Sequence, residues 1–286
     1  MSQAGKILVS GSNGQLGSEL QAIAGQFKDF QFVFFSRAEL SITDTTALEK
    51  MFALHQPSYF INCAAYTAVD KAEKEKEIAE EINGRAVGAI ATLCSEYGCR
   101  LIHVSTDYVF NGQSTIPLKE DDLVDPVNAY GESKLLGERL AMAQTDAIII
   151  RTSWVYSTYG NNFVKTMKRL MGERESISVV NDQVGSPTYA ADLAAVIMEI
   201  ITSGKWEPGI YNYSNEGVIS WFDFANEIRS LLHSKCMVNP IPTEQFPTPA
   251  KRPTYSVLDK NKIQSVYNIN TREWKESLKT CIDKLV

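Results

Sequence analysis

The chain is poor in residues that form disulfides and metal sites. Its 286 residues include only five cysteines and three histidines. The cysteines are odd in number, irregularly spaced and without a C-x-x-C pair, so we interpret them as free buried thiols. Three scattered histidines argue against a zinc site, and therefore against metal-based hydrolysis. No metal ligand is predicted from the residues themselves.

Long apolar segments and basic blocks are also missing. No stretch is apolar for the roughly 18 residues that a membrane-spanning helix needs, and the N-terminus MSQAGKILVSGSNG has no secretory-type apolar run. The net charge of −6 and the absence of a basic cluster provide no electrostatic footprint for nucleic acid or an anionic membrane. A soluble, cytoplasmic protein that binds neither is expected.

Short apolar runs alternate with helical patterns through the first half. The runs are KILVSG, FQFVFF, YFINCAA, RLIHVST and DAIIIRTSW. Helical patterns lie between them, from about Gly14, around 43–55, around 76–97 and from about Tyr130. Strands that are apolar on both faces and are separated by helices indicate a parallel sheet covered on both sides. With right-handed crossovers, the predicted fold class is α/β with a doubly wound parallel sheet.

The composition changes after about Trp154. Aromatic residues, proline and glycine become frequent, as in YNYSNEG and IPTEQFPTPAKRP, and the regular alternation ends. We therefore predict two regions: residues 1–155 as a dinucleotide-binding domain, and residues 156–286 mainly as a smaller substrate-binding region. A helix near 190–203 is expected to return to the main sheet.

A glycine-rich turn follows the first predicted strand. In VSGSNGQLGSEL, Gly11, Gly14 and Gly17 stand between that strand and the first helix. Gly11 permits a tight turn, Gly14 lets backbone N–H groups approach a pyrophosphate, and Gly17 allows close packing of helix on strand. Because the helix N-terminus then faces the phosphates, this position predicts a dinucleotide site.

The end of the second strand bears on the choice of dinucleotide. An NAD-selective site places Asp or Glu there, whereas FFSRAEL places Ser36 and Arg37. A hydroxyl and a guanidinium suit a 2′-phosphate, which favours NADPH, with NADH as the alternative. The competing interpretation is that Arg37 is only a solvated residue after a strand.

A candidate catalytic group combines the strand RLIHVST with the segment AYGESK. Among 12 tyrosines, a Tyr-x-x-x-Lys spacing arises about once by chance, so position must give it meaning. Thr106 ends a strand at the ligand crevice, and Tyr130 and Lys134 lie on one face of the next helix. Tyr130 would protonate an alkoxide, with its pKa lowered by Lys134, while Thr106 orients the carbonyl. A surface Tyr, a solvated Lys and a capping Thr are the alternatives.

These motifs resemble the extended short-chain dehydrogenase/reductase family and, within it, the dTDP-4-dehydrorhamnose reductase family. The similarity runs nearly from end to end, through GSNGQLG, NCAAYTAVDKAE, VSTDYVFNG, AYGESKLLGE, RTSWVY, NNFVKTM, NDQVGSPTYAADLA and KRPTYSVLD. It implies a Rossmann fold and NADPH-dependent reduction of the C4 ketone of dTDP-4-dehydro-L-rhamnose to dTDP-L-rhamnose, a step of cell-surface polysaccharide synthesis. A bound Mg²⁺ and a homodimer are implied by the resemblance alone.

The resemblance also assigns residues by position. Tyr130 becomes the proton donor, Lys134 its partner and a ligand of the nicotinamide ribose, and Thr106 the carbonyl-orienting hydroxyl. The predicted cofactor contacts, besides Tyr130 and Lys134, are Gly11, Asn13, Gly14, Gln15, Leu16, Gly17, Ser36, Arg37, Ser41, Ile42, Ala65, Tyr66 and Thr67. The predicted nucleotide-sugar contacts are Thr106, Asp107, Tyr130, Trp154 and Arg252.

Trp154 would offer a flat apolar face, and Arg252 a fork for a diphosphate. The alternatives are a core tryptophan and a salt bridge within a loop.

The chain departs from the family pattern at two positions, and other functions stay open. Ser41 replaces an aspartate that often contacts the adenine, and Tyr66 stands where histidine is common. A dehydratase needs an acid after Thr-Asp, where this chain has Tyr108, so Tyr108 argues against dehydration. It argues less strongly against epimerisation. A non-catalytic subunit, such as the regulatory β subunit of methionine adenosyltransferase, is an alternative of another class.

Overall fold

A six-stranded parallel sheet forms the centre of the computed structural model, which describes residues 5–285. Its strands are β1 (Gly5–Ser10), β2 (Phe30–Phe35), β3 (Tyr59–Asn62), β4 (Arg100–Thr106), β5 (Ile148–Thr152) and β10 (Gly209–Asn212). Their spatial order is β2-β1-β3-β4-β5-β10, so the order reverses between β1 and β3. Ligands of such sheets bind beside this reversal. The predicted doubly wound parallel sheet is confirmed.

Helices cover both faces of this sheet. They are α1 (Gln15–Ala24), α2 (Thr45–His55), α3 (Val69–Ala72), α4 (Lys76–Glu80), α5 (Ala86–Glu96), α6 (Ala129–Gln144) and α8 (Ala190–Thr202). A π-helical turn, Glu81–Arg85, joins α4 to α5. The helices α1 and α8 pack on one face, and α2, α5 and α6 pack on the other.

Alternation along β1 explains why the sheet is apolar on both sides. Ile7 and Val9 join the cluster under α1 and α8, whereas Leu8 joins the cluster under α2 and α5. All three side chains are fully buried. Successive residues of a strand point to opposite faces, so continuous apolar runs follow from burial on both faces.

The central sheet and the helices on its faces are called the first layer. A second layer is built from short strand pairs and aromatic side chains. Its strands are β6 (Val155–Tyr156), β7 (Ser176–Val180), β8 (Val184–Gly185), β9 (Thr188–Tyr189), β11 (Ile219–Ser220) and β12 (Met237–Ile241), and they pair as β6 with β9, β7 with β12 and β8 with β11. Its helices are α7 (Phe163–Glu173), α9 (Trp221–Leu231) and α11 (Trp274–Asp283). Tyr156 and Phe224 are fully buried at its centre.

The chain after residue 155 also contributes to the first layer. Helix α8 packs against α1, β10 forms the sheet edge next to β5, and α10 (Asn261–Tyr267) contacts β10. Helix α8 lies where a helix near 190–203 was predicted, whereas no strand was predicted at β10. Only four residues long, preceded by Pro208 and beginning at Gly209, β10 has no pattern that distinguishes it from a loop.

Helices long and apolar enough to cross a membrane do not occur within residues 5–285.

Candidate active site

One large cleft lies along the carboxyl ends of the parallel strands. Its volume is about 1260 Å³, which is larger than a typical site for one small molecule. Of the predicted site residues, those that line it are Gly11, Asn13, Gly14, Gln15, Leu16, Ser36, Arg37, Ser41, Ile42, Ala65, Tyr66, Thr67, Thr106, Asp107, Tyr130, Lys134, Trp154 and Arg252. The structure therefore brings both halves of the predicted site to one cleft.

The glycine turn forms the floor of the cleft between β1 and α1. Gly11 has a φ of +68°, and a Cβ there would lie 2.7 Å from the backbone N of Ala64. Gly14 precedes the first helical residue, so the free N–H groups of α1 open into the cleft. This cradle fits a pyrophosphate.

Gly17 contributes to packing rather than to the wall of the cleft. It is absent from the lining, and a Cβ there would lie 2.7 Å from the Cα of Ser12. Its place among the direct cofactor contacts stays a prediction. The packing role also inferred from the sequence accounts for the close approach of Gly17 to Ser12.

Gln15 links the glycine turn to the second layer. Its Nε2 donates to the carbonyl of Val155 over 3.3 Å, and its Oε1 accepts from Nδ2 of Asn162 over 2.9 Å. Its side chain is therefore engaged across the cleft, while its backbone N–H remains at the start of α1.

The end of β2 differs from the sequence-based expectation. The hydroxyl of Ser36 donates to Oε2 of Glu39 over 2.7 Å, and the backbone N–H of Ser36 donates to the same oxygen. The Ser36 hydroxyl is therefore occupied, whereas Arg37 is exposed and borders the cleft. Of the two groups expected to meet a 2′-phosphate, the guanidinium is the one without a side-chain partner among residues 5–285.

The two departures from the family pattern also have local partners. Ser41 shares a hydrogen bond of 2.9 Å with the hydroxyl of Thr43, and Ile42 is buried beside it. The hydroxyl of Tyr66 donates to Oε2 of Glu75 over 2.6 Å. Tyr66 therefore presents its ring and backbone to the cleft while its polar end is bound elsewhere.

The candidate catalytic side chains meet above the end of β4. Thr106 is the last residue of that strand, and Tyr130 and Lys134 lie in the first turns of α6. The helix begins there because Asn128 caps it, accepting from the backbone N–H of Gly131 over 2.8 Å. The amine of Lys134 donates to the carbonyl of Val104 over 2.6 Å.

Burial dominates the electrostatics of the Tyr130 and Lys134 pair. It raises the pKa of Tyr130 to about 12, with a hydrogen bond to Thr106 lowering it and the charge of Asp107 raising it. Burial also lowers the pKa of Lys134 to about 8. The pKa of Tyr130 therefore lies above its ordinary value, because burial raises it more than the hydrogen bond lowers it, and its lowering by Lys134 stays a prediction. Tyr130 keeps its proton at neutral pH.

Asp107 lies buried next to Thr106. Its Oδ1 accepts from the Thr106 hydroxyl over 3.0 Å, and its Oδ2 has no hydrogen-bond partner among residues 5–285. Burial raises the pKa of this carboxyl to about 6. A buried polar atom without a partner is costly, and a ligand that donates to it would relieve that cost.

Trp154 borders the cleft in a constrained conformation. Its φ is +47°, and its ring stacks on Trp221 at a centroid distance of 3.6 Å with 12° between the planes. The indole also lies close to Gly185, where a Cβ would come within 2.8 Å of the ring. The flat face expected to receive a sugar or base is partly taken, because Trp221 covers one side.

Arg252 reaches the cleft while paired to Asp70. Its Nη1 and Nη2 donate to the two carboxylate oxygens of Asp70 over 3.0 and 2.9 Å. Asp70 stands in α3, so this pair joins a loop of the second layer to the first layer. The salt bridge expected as the alternative for Arg252 is therefore present, and its role as a diphosphate ligand stays a prediction.

Several residues of the site were not anticipated. Asn83, in the π-helical turn, accepts from the backbone N–H of Tyr66 and donates to the hydroxyl of Ser133 on α6. Irregular helical turns of this kind often occur at functional sites. Asn128 was detectable, because an asparagine before AYGESK is an N-cap signal. Trp221 and His103 have no local signal that connects them to the site.

Clusters of three or more His, Cys, Asp or Glu side chains that could hold a metal ion do not occur among the described residues. The Mg²⁺ implied by the resemblance stays a prediction.

Known proteins resemble the chain over nearly its full length. Residues 5–286 match the family model described as the RmlD substrate binding domain. The spore coat polysaccharide biosynthesis protein SpsK of Bacillus subtilis (strain 168) is 40% identical over 277 residues, covering 96% of this chain and 95% of that protein. The dTDP-4-dehydrorhamnose reductase of Aggregatibacter actinomycetemcomitans is 39% identical over 285 residues, covering 96% and 97%.

A solved structure shows the same agreement in three dimensions. The dTDP-4-dehydrorhamnose reductase of Bacillus anthracis, in complex with NADP, superposes with a TM-score of 0.94 at 39% identity, covering 98% of this chain and 99% of that one. The family model, the relatives and this structure each match nearly the full length of the chain. The chain therefore belongs to the dTDP-4-dehydrorhamnose reductase family.

Proposed function

We propose that the chain is an NADPH-dependent oxidoreductase that reduces the C4 ketone of dTDP-4-dehydro-L-rhamnose to dTDP-L-rhamnose. One observation carries this proposal: Thr106, Tyr130 and Lys134 meet at the end of β4, in the same cleft as a glycine turn fitted to a pyrophosphate. NADH is the alternative reductant. The Mg²⁺, the homodimer, the cytoplasmic location and the division at residue 155 stay predictions.

NADPH, when bound, supplies the hydride that reduces the ketone carbon. The chain supplies the proton, and Tyr130 is its donor, because a phenol with a pKa of about 12 is fully protonated at neutral pH. The alkoxide that develops at O4 is the stronger base, so it takes the Tyr130 proton as it forms. Lys134, anchored on the Val104 carbonyl and one helical turn from Tyr130, would stabilise the resulting phenolate as an ammonium ion.

Thr106 and Asp107 are placed to orient the substrate. In the structure the Thr106 hydroxyl donates to Asp107. It has to turn from that carboxylate to the ketone oxygen when the substrate binds, and a sugar hydroxyl then has an acceptor in Asp107. This exchange of hydrogen bonds would hold the C4 carbonyl against Tyr130.

The second layer is placed to hold the nucleotide diphosphate. Arg252 presents two parallel N–H groups, the geometry that suits a carboxylate or a phosphate equally. We infer that the diphosphate takes over part of this fork from Asp70. Trp154, supported by Trp221, then borders the sugar or the base.

The deciding experiment mixes purified protein, NADPH and enzymatically generated dTDP-4-dehydro-L-rhamnose, and follows NADPH absorbance. We expect stoichiometric NADPH loss, and a decrease in kcat of about 10²- to 10⁴-fold for Tyr130→Phe. The matched control is Tyr108→Phe, whose ring lies 5.7 Å from that of Tyr130 but whose hydroxyl has no assigned proton transfer.

Two outcomes would contradict the proposal. One is the absence of substrate-dependent NADPH loss, since an epimerase or a dehydratase regenerates its cofactor and a regulatory subunit turns over nothing. The other is a Tyr130→Phe variant as active as the parent, because the proton donor would then lie elsewhere.

A further inference from the structure

A row of buried polar side chains crosses the sheet beneath the site. Ser10 of β1 pairs in register with Asn62 of β3, and Asn62 pairs with His103 of β4. The Ser10 hydroxyl donates to Asn62 Oδ1 over 2.7 Å, Asn62 Nδ2 lies 3.1 Å from His103 Nδ1, and His103 Nε2 lies 3.3 Å from the Lys134 amine. The row therefore leads from the residue before the glycine turn to the candidate catalytic lysine.

The row is closed to solvent. The relative exposures of Ser10, Asn62, His103 and Lys134 are 0%, 1%, 0% and 2%. Neighbouring strand positions on this face are apolar, such as Leu8, Phe60 and Leu101. A polar row in such surroundings costs free energy unless each member is hydrogen-bonded, so its hydrogen positions are strongly constrained.

One backbone group fixes those hydrogen positions. The N–H of Ala64 donates to Asn62 Oδ1 over 3.2 Å, so this oxygen is the acceptor end of the amide. The other end, the NH₂ group, therefore faces His103 Nδ1 and donates to it. A neutral imidazole that accepts at Nδ1 carries its proton on Nε2. That N–H points at the amine of Lys134.

We propose that His103 is a positioning residue of the reductase, donating its Nε2–H to the amine of Lys134 and so setting the pH at which the lysine ionises. The inference rests on the proposed function and adds a residue to it. An ammonium group has only donors, so it cannot accept this N–H, whereas the neutral amine can. The histidine therefore favours the neutral amine, in line with the direction of the Lys134 pKa.

Other ionisable groups near the lysine act in the opposite direction. Glu138, one turn further along α6, and Cys63, at the end of β3, both raise the Lys134 pKa. Glu138 is already paired with Arg151 of β5 over 2.8 Å and accepts from the Ser105 hydroxyl over 2.5 Å. Burial also keeps the pKa of His103 well below its usual value, so the ring stays neutral across the working range.

Two substitutions of His103 test the roles of its two ring nitrogens separately. In His103→Gln the amide nitrogen replaces Nε2, which keeps a donor to Lys134 and loses the contact with Asn62. In His103→Asn the shorter amide replaces Nδ1, which keeps the contact with Asn62 and loses the donor to Lys134. Both replace an imidazole by a smaller amide at the same buried position, so their general structural costs are similar.

The measurement is the pH dependence of kcat for NADPH-dependent reduction, with melting temperature and NADPH affinity as checks on folding. We expect His103→Asn to shift the part of the profile set by Lys134 about one pH unit to the alkaline side, because the ammonium form that stabilises the phenolate then persists to higher pH. His103→Gln should keep the parental profile and most of the rate. Equal profiles for the two folded variants, or a parental profile for His103→Asn, would overturn the proposal.

A second measurement needs no variant and no turnover. The ¹⁵N shifts of the His103 ring in the parent protein should report a bare Nδ1 and a protonated Nε2, from about pH 6 to about pH 9. A proton on Nδ1 would overturn the inference whether or not the variants fold. If the parent proved inactive as a reductase, this result would still decide which ring nitrogen of His103 carries the proton. A failure of the proposed function can therefore be told apart from a failure of the inference about His103.

Discussion

The two sides of the cleft are built by different means. On the cofactor side, backbone geometry positions the groups: a tight turn at Gly11, the N-terminus of α1 and the ends of parallel strands. On the substrate side, side chains hold one another, as in the Trp154–Trp221 stack and the Arg252–Asp70 pair. A tightly packed backbone tolerates little added volume, so one substitution can displace it. Removing one side-chain contact instead weakens binding by the contribution of that contact. Substitutions on the two sides should therefore fail differently.

Among the substitutions that compare the two sides of the cleft, the largest effect is expected from Gly17→Ala on the cofactor side. The added Cβ would lie 2.7 Å from the Cα of Ser12, so α1 would have to move away from the turn. Because the start of that helix forms the pyrophosphate cradle, we expect NADPH affinity to decrease about 100-fold and stability by about 1–3 kcal/mol. Fluorescence titration with NADPH and thermal unfolding would measure both.

Gly25→Ala is the matched control for that change. Gly25 lies just after α1, has a φ of −64°, and has no atom within 4 Å of an added Cβ. Stability should stay the same or rise slightly, because alanine has less freedom in the unfolded chain. Equal loss of NADPH affinity in the two variants would show that close packing at Gly17 does not shape the cradle.

An intermediate effect is expected from Arg37→Asp at the end of β2. Arg37 is exposed beside the cleft, and the neighbouring Ser36 hydroxyl is engaged by Glu39. Replacing the guanidinium by a carboxylate should raise the KM for NADPH about 30-fold while changing that for NADH much less. Steady-state kinetics with both cofactors gives the ratio.

The control for Arg37→Asp is Arg169→Asp on α7, which changes the net charge equally at a site away from the cleft. Its surface pair with Glu173 is more than half exposed and worth little. A similar rise of both KM values in Arg37→Asp would remove Arg37 as the selectivity residue.

The sequence predicted the cofactor side better than the substrate side. Apolar runs, the glycine turn and the i, i+4 spacing of Tyr130 and Lys134 are local signals, and register then brings strand ends together. The stack of Trp154 on Trp221 joins residues that are far apart in the chain, and no local pattern encodes such a contact. The same holds for His103, whose partner Lys134 becomes visible only once β4 and α6 have packed.

Predictions from neighbouring residues also failed where the folded structure adds a competing contact or buries a group. Ser36 looked free to meet a phosphate, but Glu39, three residues later, binds its hydroxyl. Lys134 was expected to lower the pKa of Tyr130, but burial raises that pKa to about 12. Desolvation depends on the whole packed structure, so spacing along the chain cannot supply it.

The smallest effect is expected from Trp221→Leu on the substrate side. This change removes the ring stacked on Trp154 at 3.6 Å but leaves an apolar side chain beneath it. Aromatic pairs contribute about 0.5–1.5 kcal/mol beyond their buried area, so the KM for the nucleotide sugar should rise about fivefold. NADPH affinity should not change, because the stack has no part in the glycine turn.

The control for Trp221→Leu is Trp206→Leu, which removes an indole that packs on Tyr59 and Arg100, away from the cleft. It should cost stability without raising the KM for the nucleotide sugar. A loss of NADPH affinity in Trp221→Leu, with an unchanged KM for the nucleotide sugar, would contradict the assignment of this stack to the substrate side. The second layer would then support the cofactor, through the link from Gln15 to Asn162, rather than the substrate.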